Sequence, residues 1–174
     1  DLLNFRKNVQ IVFQDPYASL NPLHKVIKII SEPLKFHKFC KAEEIFRRCT
    51  ELMHDVGLNE NFLNRYPLEL SGGQRQRICI ARAISIKPKI LICDECVSAL
   101  DISIQATILN LLNSLKEKYN FTYIFISHDI SVVKYMSDKI VVLNKGKAIE
   151  AQEADTLFSK PSNKYTKKLI KASM

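Results

Sequence analysis

Short apolar runs of strand length alternate with helical patterns along this chain. The runs are rich in β-branched and aromatic residues, and they cover Val9 to Phe13, Lys89 to Cys93, Phe121 to Ile126 and Ile140 to Leu143. Residues 104–119, between the second and third runs, carry apolar side chains at the spacing of one helix face. Strands that alternate with helices in this way predict a parallel sheet covered on both faces.

Between the first two strands the pattern is helical, over about residues 22–86. Residues 42–56 place apolar side chains on one face of a helix. A later helix is predicted to begin at Ser71, because Ser71 and Gln74 match the capping-box pattern S-x-x-Q. After the last predicted strand, residues 144–147 have the composition of a hairpin turn.

The composition is that of a globular protein. The chain has 174 residues, of which 47% are hydrophobic and 25% are charged. Its net charge of +8 comes from scattered lysines without a basic stripe of interleaved aromatics, which favours a lysine-rich surface over a nucleic-acid site. No apolar run reaches 18 residues. The start lacks Met and a signal peptide, so we expect an internal start.

Five cysteines, an odd number without a secretory signal, predict reduced thiols in a cytosol. Cys93 and Cys96 form a C-x-x-C, but the sequence offers no second pair or nearby His to complete a zinc site. The favoured interpretation is that these thiols are small buried hydrophobic groups.

Polar side chains of catalytic types follow three of the predicted strands. Gln14 follows the first, Asp94 and Glu95 the second, and His128 the third. Ligands of parallel sheets collect at the carboxyl ends of strands. Paired carboxylates at such an end can hold Mg²⁺ and activate water.

A second motif is Leu-Ser-Gly-Gly-Gln-Arg-Gln-Arg, at residues 70–77. A Ser-Gly-Gly turn that opens a helix offers backbone N–H groups to an anion. Together the two motifs favour a nucleotide triphosphate as ligand. The 174 residues nevertheless contain no G-x-x-x-x-G-K-[ST] loop, and none of the four glycines lies in such a frame.

In their order along the chain, these motifs resemble those of the ATP-binding subunits of ABC transporters, from the Q-loop onward. The matching elements are the Q-loop at Gln14, the signature at Leu70 to Gln74, the Walker B strand Ile90 to Asp94 with Glu95 after it, the D-loop Ser98 to Asp101, and the switch His128. The resemblance implies an α/β fold, a P-loop NTPase (RecA-like) parallel sheet that is incomplete at its N-terminal part, with an inserted α-helical subdomain.

The resemblance also implies a division of the chain. Residues 1–21 would be the Q-loop strand of the catalytic core, and 22–86 the helical signature subdomain. Residues 87–150 would carry the Walker B strand, D-loop and switch histidine, and 151–174 an importer-type tail.

Each residue receives a role from the same resemblance. Asp94 and Gln14 would hold Mg²⁺, and Glu95 would polarise the attacking water, with a second metal ligand as its other interpretation. His128 and Gln14 would complete the catalytic set. The nucleotide of a second subunit would be bound by Ser71, Gly72, Gly73, Gln74 and Asp101.

A finer resemblance concerns the transported substrate. Phe13 to Pro22 is similar to the Q-loop of oligopeptide, dipeptide and nickel importers, and Leu157 to Pro161 and Lys164 to Leu169 are similar to their tail. This implies an ATPase that energises peptide import with ATP and Mg²⁺. Its partners would be a second ATP-binding subunit in a head-to-tail dimer and integral membrane permease subunits, with no nucleic acid. Peptide or nickel would be handled by the complex, and this chain would lie peripherally on the cytoplasmic face of the cell membrane.

Two alternatives stay open. The chain is a non-catalytic fragment that pairs with an intact subunit or a permease, or, less favoured, a nucleic-acid-associated ABC ATPase. Without a phosphate loop we expect these 174 residues alone to bind ATP weakly, to hydrolyse none and to expose apolar surface. A departure from the family pattern is Cys96-Val97, where relatives carry Pro-Thr, which is expected to loosen the turn toward the D-loop.

Overall fold

The computed structural model describes residues 1–172. The chain divides into two compact units, one from Asp1 to Ile124 and one that begins at Phe125, and each is described by itself. Within residues 1–172 every helix is too short or too polar to cross a bilayer.

The first unit carries the elements around the predicted carboxylate pair. They are α1 (Leu2–Asn8), β1 (Val9–Val12), α2 (Pro16–Ser19), α3 (Val26–Phe36), α4 (Ile45–Asp55), α5 (Gly72–Ile84), β2 (Ile90–Asp94), α6 (Ile102–Tyr119) and the first residues of β3 (Thr122–Ile126). Short 3₁₀ turns at Ala42–Glu44, Glu60–Asn64 and Pro67–Glu69 connect the helices.

The sheet has the strand order β1-β2-β3. β1 and β2 run parallel, with Val9 opposite Ile90 and Val12 opposite Cys93. The predicted parallel pairing of these two strands is therefore confirmed, although about 80 residues separate their positions in the sequence. The helical segment between them, with α3, α4 and α5, confirms the predicted helical character of that region.

The core of the first unit is built around α5, which is buried on most of its circumference. Ile78, Ile80 and Ile84 of α5 are fully buried, as are Leu52 of α4 and Ile108 of α6. A helix buried on several faces needs neighbours on each of them, and α5 packs against α2, α3, α4, α6 and β1. The signature motif thus opens a helix that is anchored in the core of the unit.

The second unit contains the end of the chain. Its elements are α7 (Ile130–Met136), β4 (Lys139–Asn144), β5 (Lys147–Glu153), α8 (Ala154–Ser159) and α9 (Lys164–Ala172). The predicted hairpin turn is confirmed, with Lys145 and Gly146 at φ +49° and +75° between β4 and β5. Both central residues at positive φ are typical of a type I′ turn.

Two expectations are corrected. β4 does not belong to the three-stranded sheet, since it pairs with β5 in a separate two-stranded antiparallel sheet. β3 is not covered on both faces, since Ile124 is 48% exposed. Residues 2–8 form α1, which Asp1 caps by accepting a hydrogen bond from the Leu3 N–H. The expected exposed apolar surface at the open strands is confirmed, with Ile126 of β3 45% and Leu143 of β4 66% exposed.

One carboxylate fastens the start of α9 to the hairpin of the second unit. Glu150 on β5 accepts hydrogen bonds from the Ser162 N–H at 2.7 Å, the Ser162 hydroxyl at 2.6 Å and the Asn163 N–H at 3.1 Å. Because Ser162 and Asn163 donate to the charged form, they lower the pKa of Glu150 to about 2.

We predict that protonation of Glu150 loosens this attachment at low pH. The folded pKa lies below the ordinary value of 4.5, so the stabilisation is complete above that pH and is lost as pH falls toward 2. Carboxyl NMR titration is expected to give Glu150 a pKa of about 2 in the wild type, and a value closer to 4.5 in Ser162→Ala. A wild-type titration at the ordinary value would contradict the assignment.

Candidate functional site

The parallel register brings the polar ends of β1 and β2 together. Val12 lies opposite Cys93, so Phe13 and Gln14 leave the sheet beside Asp94 and Glu95. A cavity of about 580 Å³ opens at this edge, and both Gln14 and Asp94 line it. Its other lining residues are Phe13, Asp15, Ala18, Ser19 and Arg82. The amide and the carboxylate predicted to act together therefore face one space.

A serine of the predicted D-loop joins Gln14 to Glu95. The Gln14 Nε2 donates a hydrogen bond to the Ser98 hydroxyl at 3.2 Å, and that hydroxyl donates to the Glu95 carbonyl oxygen at 2.9 Å. The Ser98 N–H also donates to this carbonyl, at 3.1 Å. The Gln14 side chain and the Glu95 backbone are thus held by one hydroxyl.

Glu95 itself has a constrained backbone. Its φ is +47°, in the left-handed region that residues with a Cβ adopt at a cost of about 1–2 kcal/mol. Strain of this kind persists where the surroundings fix the chain, often at functional sites. Here the two hydrogen bonds from Ser98 to the Glu95 carbonyl hold the turn.

The signature turn is a complete capping box. Ser71 Oγ accepts from the Gln74 N–H at 3.3 Å, and the Ser71 N–H donates to Gln74 Oε1 at 2.9 Å. This confirms the predicted start of the helix. The N–H groups of Gly72 and Gly73 belong to the first turn, where an α-helix has no carbonyl partners of its own, so they suit an anion.

Gly73 sits where no side chain fits. A Cβ built on it would lie 2.8 Å from Cγ2 of Ile104, whereas a Cβ on Gly72 would lie 3.6 Å from Cδ2 of Leu100. The close approach of α5 to α6 therefore depends on Gly73.

Four of the five predicted trans-acting residues, all except Gln74, line a second pocket, of about 300 Å³. The signature contributes Ser71, Gly72 and Gly73 to its lining, and the D-loop contributes Ala99, Leu100 and Asp101. Asp101 also precedes α6, and its carbonyl oxygen accepts from the Ile104 N–H at 2.9 Å. The signature turn and Asp94 thus line two different pockets of the first unit, and Asp15 lines both.

The sequence of residues 1–98, more than half of the chain, matches the model of the ABC transporter family. The chain belongs to this family. Its fold agrees, since it superimposes on the structure of cbiO1 from Clostridium perfringens, described as part of the ABC transporter complex cbiONQ. The TM-score is 0.81 at 28% sequence identity, over 91% of this chain and 62% of that one.

Curated relatives of this ABC transporter chain are named for peptide transport. It is 51% identical over 172 residues to the oligopeptide transport ATP-binding protein OppF of Bacillus subtilis strain 168. The matched residues cover 98% of this chain and 56% of that protein. It is 47% identical over 171 residues to the dipeptide transport ATP-binding protein DppF of Lactococcus lactis, over 98% of this chain and 55% of the relative. The chain spans about half the length of the curated relatives it matches.

His128 lies in the second unit of this ABC transporter chain, exposed between β3 and α7. The next residue, Asp129, caps α7 by accepting from the N–H groups of Ser131 and Val132. The hydrogen bond from the Ser131 hydroxyl lowers the pKa of Asp129. His128 is thereby placed at the start of a capped helix, and its role as part of the catalytic set stays a prediction.

The cysteines agree with the apolar interpretation. Cys93 and Cys96 are buried and free of disulfides. A hydrogen bond with Cys96, together with burial, raises the pKa of the Cys93 thiol well above its ordinary value. In residues 1–172 no group of three or more His, Cys, Asp or Glu side chains is placed to hold a metal ion.

Three contacts of the site were not predictable from motif spacing. Ser98 bonds to Gln14 across 84 positions, the Arg75 guanidinium lies over the Tyr17 ring, and Arg82 Nη1 donates to the Ser19 carbonyl oxygen at 2.7 Å. The available signals were weak. Ser98 stands in the D-loop pattern, and the two arginines lie seven residues apart on the predicted signature helix.

We predict that Gly73→Ala destabilises the protein relative to Gly72→Ala. The new methyl group overlaps Ile104 Cγ2, which is fixed to a β-branched carbon and cannot swing away, whereas the Gly72 methyl group makes an ordinary contact. Both variants gain helix propensity, so the difference between their free energies of unfolding reports the cost of the overlap, which is about 1–3 kcal/mol. Urea unfolding of the protein as its gene encodes it measures both, and equal stabilities would contradict this packing.

Proposed function

We propose that this chain is part of an ATP-hydrolysing subunit of an ABC transporter that energises peptide import. The observation that carries the proposal is the meeting of Gln14 and Asp94 on one cavity, with Ser98 joining Gln14 to Glu95. The names of the relatives with about half of their residues identical support peptide as the transported solute. Nickel stays the second choice of solute.

The residues at this cavity fit a magnesium ion. Mg²⁺ prefers oxygen ligands, keeps several waters and needs only one or two protein carboxylates beside the phosphates. Asp94, half-buried at the end of β2, supplies a carboxylate, and Gln14 an amide oxygen. When bound, the ion would neutralise charge on the phosphates.

Glu95 is the proposed residue that polarises the attacking water. Its backbone has φ +47°, and its carbonyl oxygen accepts two hydrogen bonds. The side chain therefore extends from a fixed backbone position next to Asp94. A positioned carboxylate orients water and accepts its proton. His128, following β3, is proposed as the group that contacts the γ-phosphate when the site closes.

The signature turn serves another nucleotide in this proposal. Ser71, Gly72 and Gly73, with Gln74 holding the cap and Asp101 beside them, would contact ATP bound by a second subunit in a head-to-tail dimer. Permease subunits would hold this dimer at the cytoplasmic face of the membrane. The proposed division into residues 1–21, 22–86, 87–150 and 151–174 assigns the signature to the second part and the carboxylates to the third.

The second candidate function is a non-catalytic binding partner of an intact subunit. The observation in its favour is that residues 1–174 contain no phosphate-binding G-x-x-x-x-G-K-[ST] loop. The coding sequence upstream of Asp1 discriminates between the two. An in-frame loop of this pattern supports the ATPase, and a stop codon supports the non-catalytic partner.

We predict that Glu95→Gln abolishes turnover but not binding. Loss of the base is expected to lower kcat by at least about 100-fold, with nucleotide affinity changed by less than about threefold. The measurement is steady-state ATP hydrolysis by the protein as encoded, assembled with its partner subunits. Glu153→Gln, an exposed glutamate on β5, is the matched control. Unchanged turnover in Glu95→Gln would exclude the assigned role.

We predict that Asp94→Asn weakens nucleotide binding only when magnesium is present. The amide keeps the size of the side chain but removes the charge that favours the metal. The measurement is the ATP affinity in Mg²⁺ and in EDTA. The two affinities are expected to differ strongly in the wild type and little in the variant. Equal magnesium dependence in both proteins would show that Asp94 is not a metal ligand.

A further inference from the structure

The turn of helix that follows Gln14 is attached to the signature helix through one arginine. α2 packs against α5, and the Arg75 guanidinium carbon lies 3.8 Å from the centroid of the Tyr17 ring. Arg75 is only 5% exposed, whereas Tyr17 is 62% exposed. The ring therefore covers the cation from the solvent side. A desolvated cation over an aromatic face is the strong form of this interaction.

The same guanidinium holds the segment that leads into the signature. Arg75 Nε donates to the Pro67 carbonyl oxygen at 2.6 Å, and Nη2 donates to that of Leu68 at 3.4 Å. Its third nitrogen, Nη1, is buried without a hydrogen-bond partner among the described residues. A buried cation with an unpaired N–H is costly. The two carbonyl oxygens offset only part of this cost, and the Tyr17 ring face offsets a further part.

A second arginine fixes the other end of α2. Arg82 lies seven residues after Arg75, two turns along the same face of α5. Its Nη1 donates to the Ser19 carbonyl oxygen at 2.7 Å. At the start of α2, Asp15 accepts from the Tyr17 N–H at 2.7 Å. Since Asp15 directly follows Gln14, a continuous set of contacts runs from Gln14 to α5.

We propose that Tyr17 and Arg75 are a positioning pair that sets the signature turn, Ser71 to Gly73, according to the position of Gln14. A displacement of Gln14 moves Asp15 and Tyr17, and the ring moves the guanidinium that holds the Pro67 and Leu68 carbonyls just before Ser71. Tyr17 also lines the signature pocket, but in this scheme the pair contacts no reacting atom. Its effect on turnover rests on the proposed function, whereas its effect on the signature turn does not.

The test uses the protein as encoded, with its partner subunits, and three variants. Tyr17→Leu removes the aromatic face, Tyr17→Phe keeps it, and Arg75→Lys keeps the charge without the planar fork. Tyr165→Leu on α9, another exposed tyrosine, controls for the loss of a surface ring. Amide hydrogen exchange at residues 71–75 and the kcat and KM of ATP hydrolysis are measured for each.

Tyr17→Leu is expected to speed exchange at residues 71–75 about tenfold and to lower kcat about tenfold, with KM changed less than about twofold. Tyr17→Phe and Tyr165→Leu stay within about twofold of the wild type. In the Arg75→Lys background, Tyr17→Leu is expected to speed exchange at residues 71–75 by less than it does in the wild type, because lysine keeps only part of the contact with the ring.

Equal exchange rates at residues 71–75 in Tyr17→Leu and Tyr17→Phe would overturn the proposed positioning role. Additive effects of Tyr17→Leu and Arg75→Lys on exchange in the double variant would also overturn it. A wild-type protein that hydrolyses no ATP refutes the proposed function instead. In that case the exchange measurement alone decides whether the ring and the guanidinium position the signature turn.

Discussion

The parallel pairing of β1 with β2 is the contact that places the candidate residues of the first unit. It joins residues about 80 positions apart and opposes Val12 to Cys93, so that Gln14 and the Asp94-Glu95 pair leave the sheet at one edge. Because the strands are parallel, the connection between them leaves at this edge and must return to the opposite one, where β2 begins. α5 makes this return, starting from its capped amino terminus, and it packs against β1 and α6.

Two of the pockets of the first unit have different chemistry. The pocket at the strand ends offers oxygen ligands from Asp94 and Gln14, which suit a hard cation. The signature pocket offers backbone N–H groups and the Ser71 hydroxyl, which suit an anion. In our proposal the first serves a nucleotide of the same subunit and the second serves one bound by another subunit. The chain is then half of each of two sites.

Features with local signals were predictable from the sequence. The capping box of Ser71 and Gln74, the hairpin turn at 144–147 and the strands ending at Gln14 and Asp94 all follow from patterns a few residues long. These patterns reflect backbone hydrogen bonding and burial, which act at short range in the chain.

Features set by tertiary contact were not predictable. Ser98 reaches Gln14 only because β1 and β2 pair, and Gly73 is required only because Ile104 crosses beside it. The antiparallel pairing of β4 with β5 follows from the hairpin turn, but the apolar pattern of β4 did not show that it lies outside the three-stranded sheet. The place of His128 in the catalytic set stays a prediction from the resemblance.

The most direct test of the two-site account is a structure of the assembled protein trapped with ATP and Mg²⁺ through Glu95→Gln. The account predicts the metal beside Asp94 and Gln14 of the subunit that holds the nucleotide, and the amides of Gly72 and Gly73 on the γ-phosphate held by the other subunit. A signature turn bound to the nucleotide of its own subunit, or a metal remote from Asp94, would contradict it.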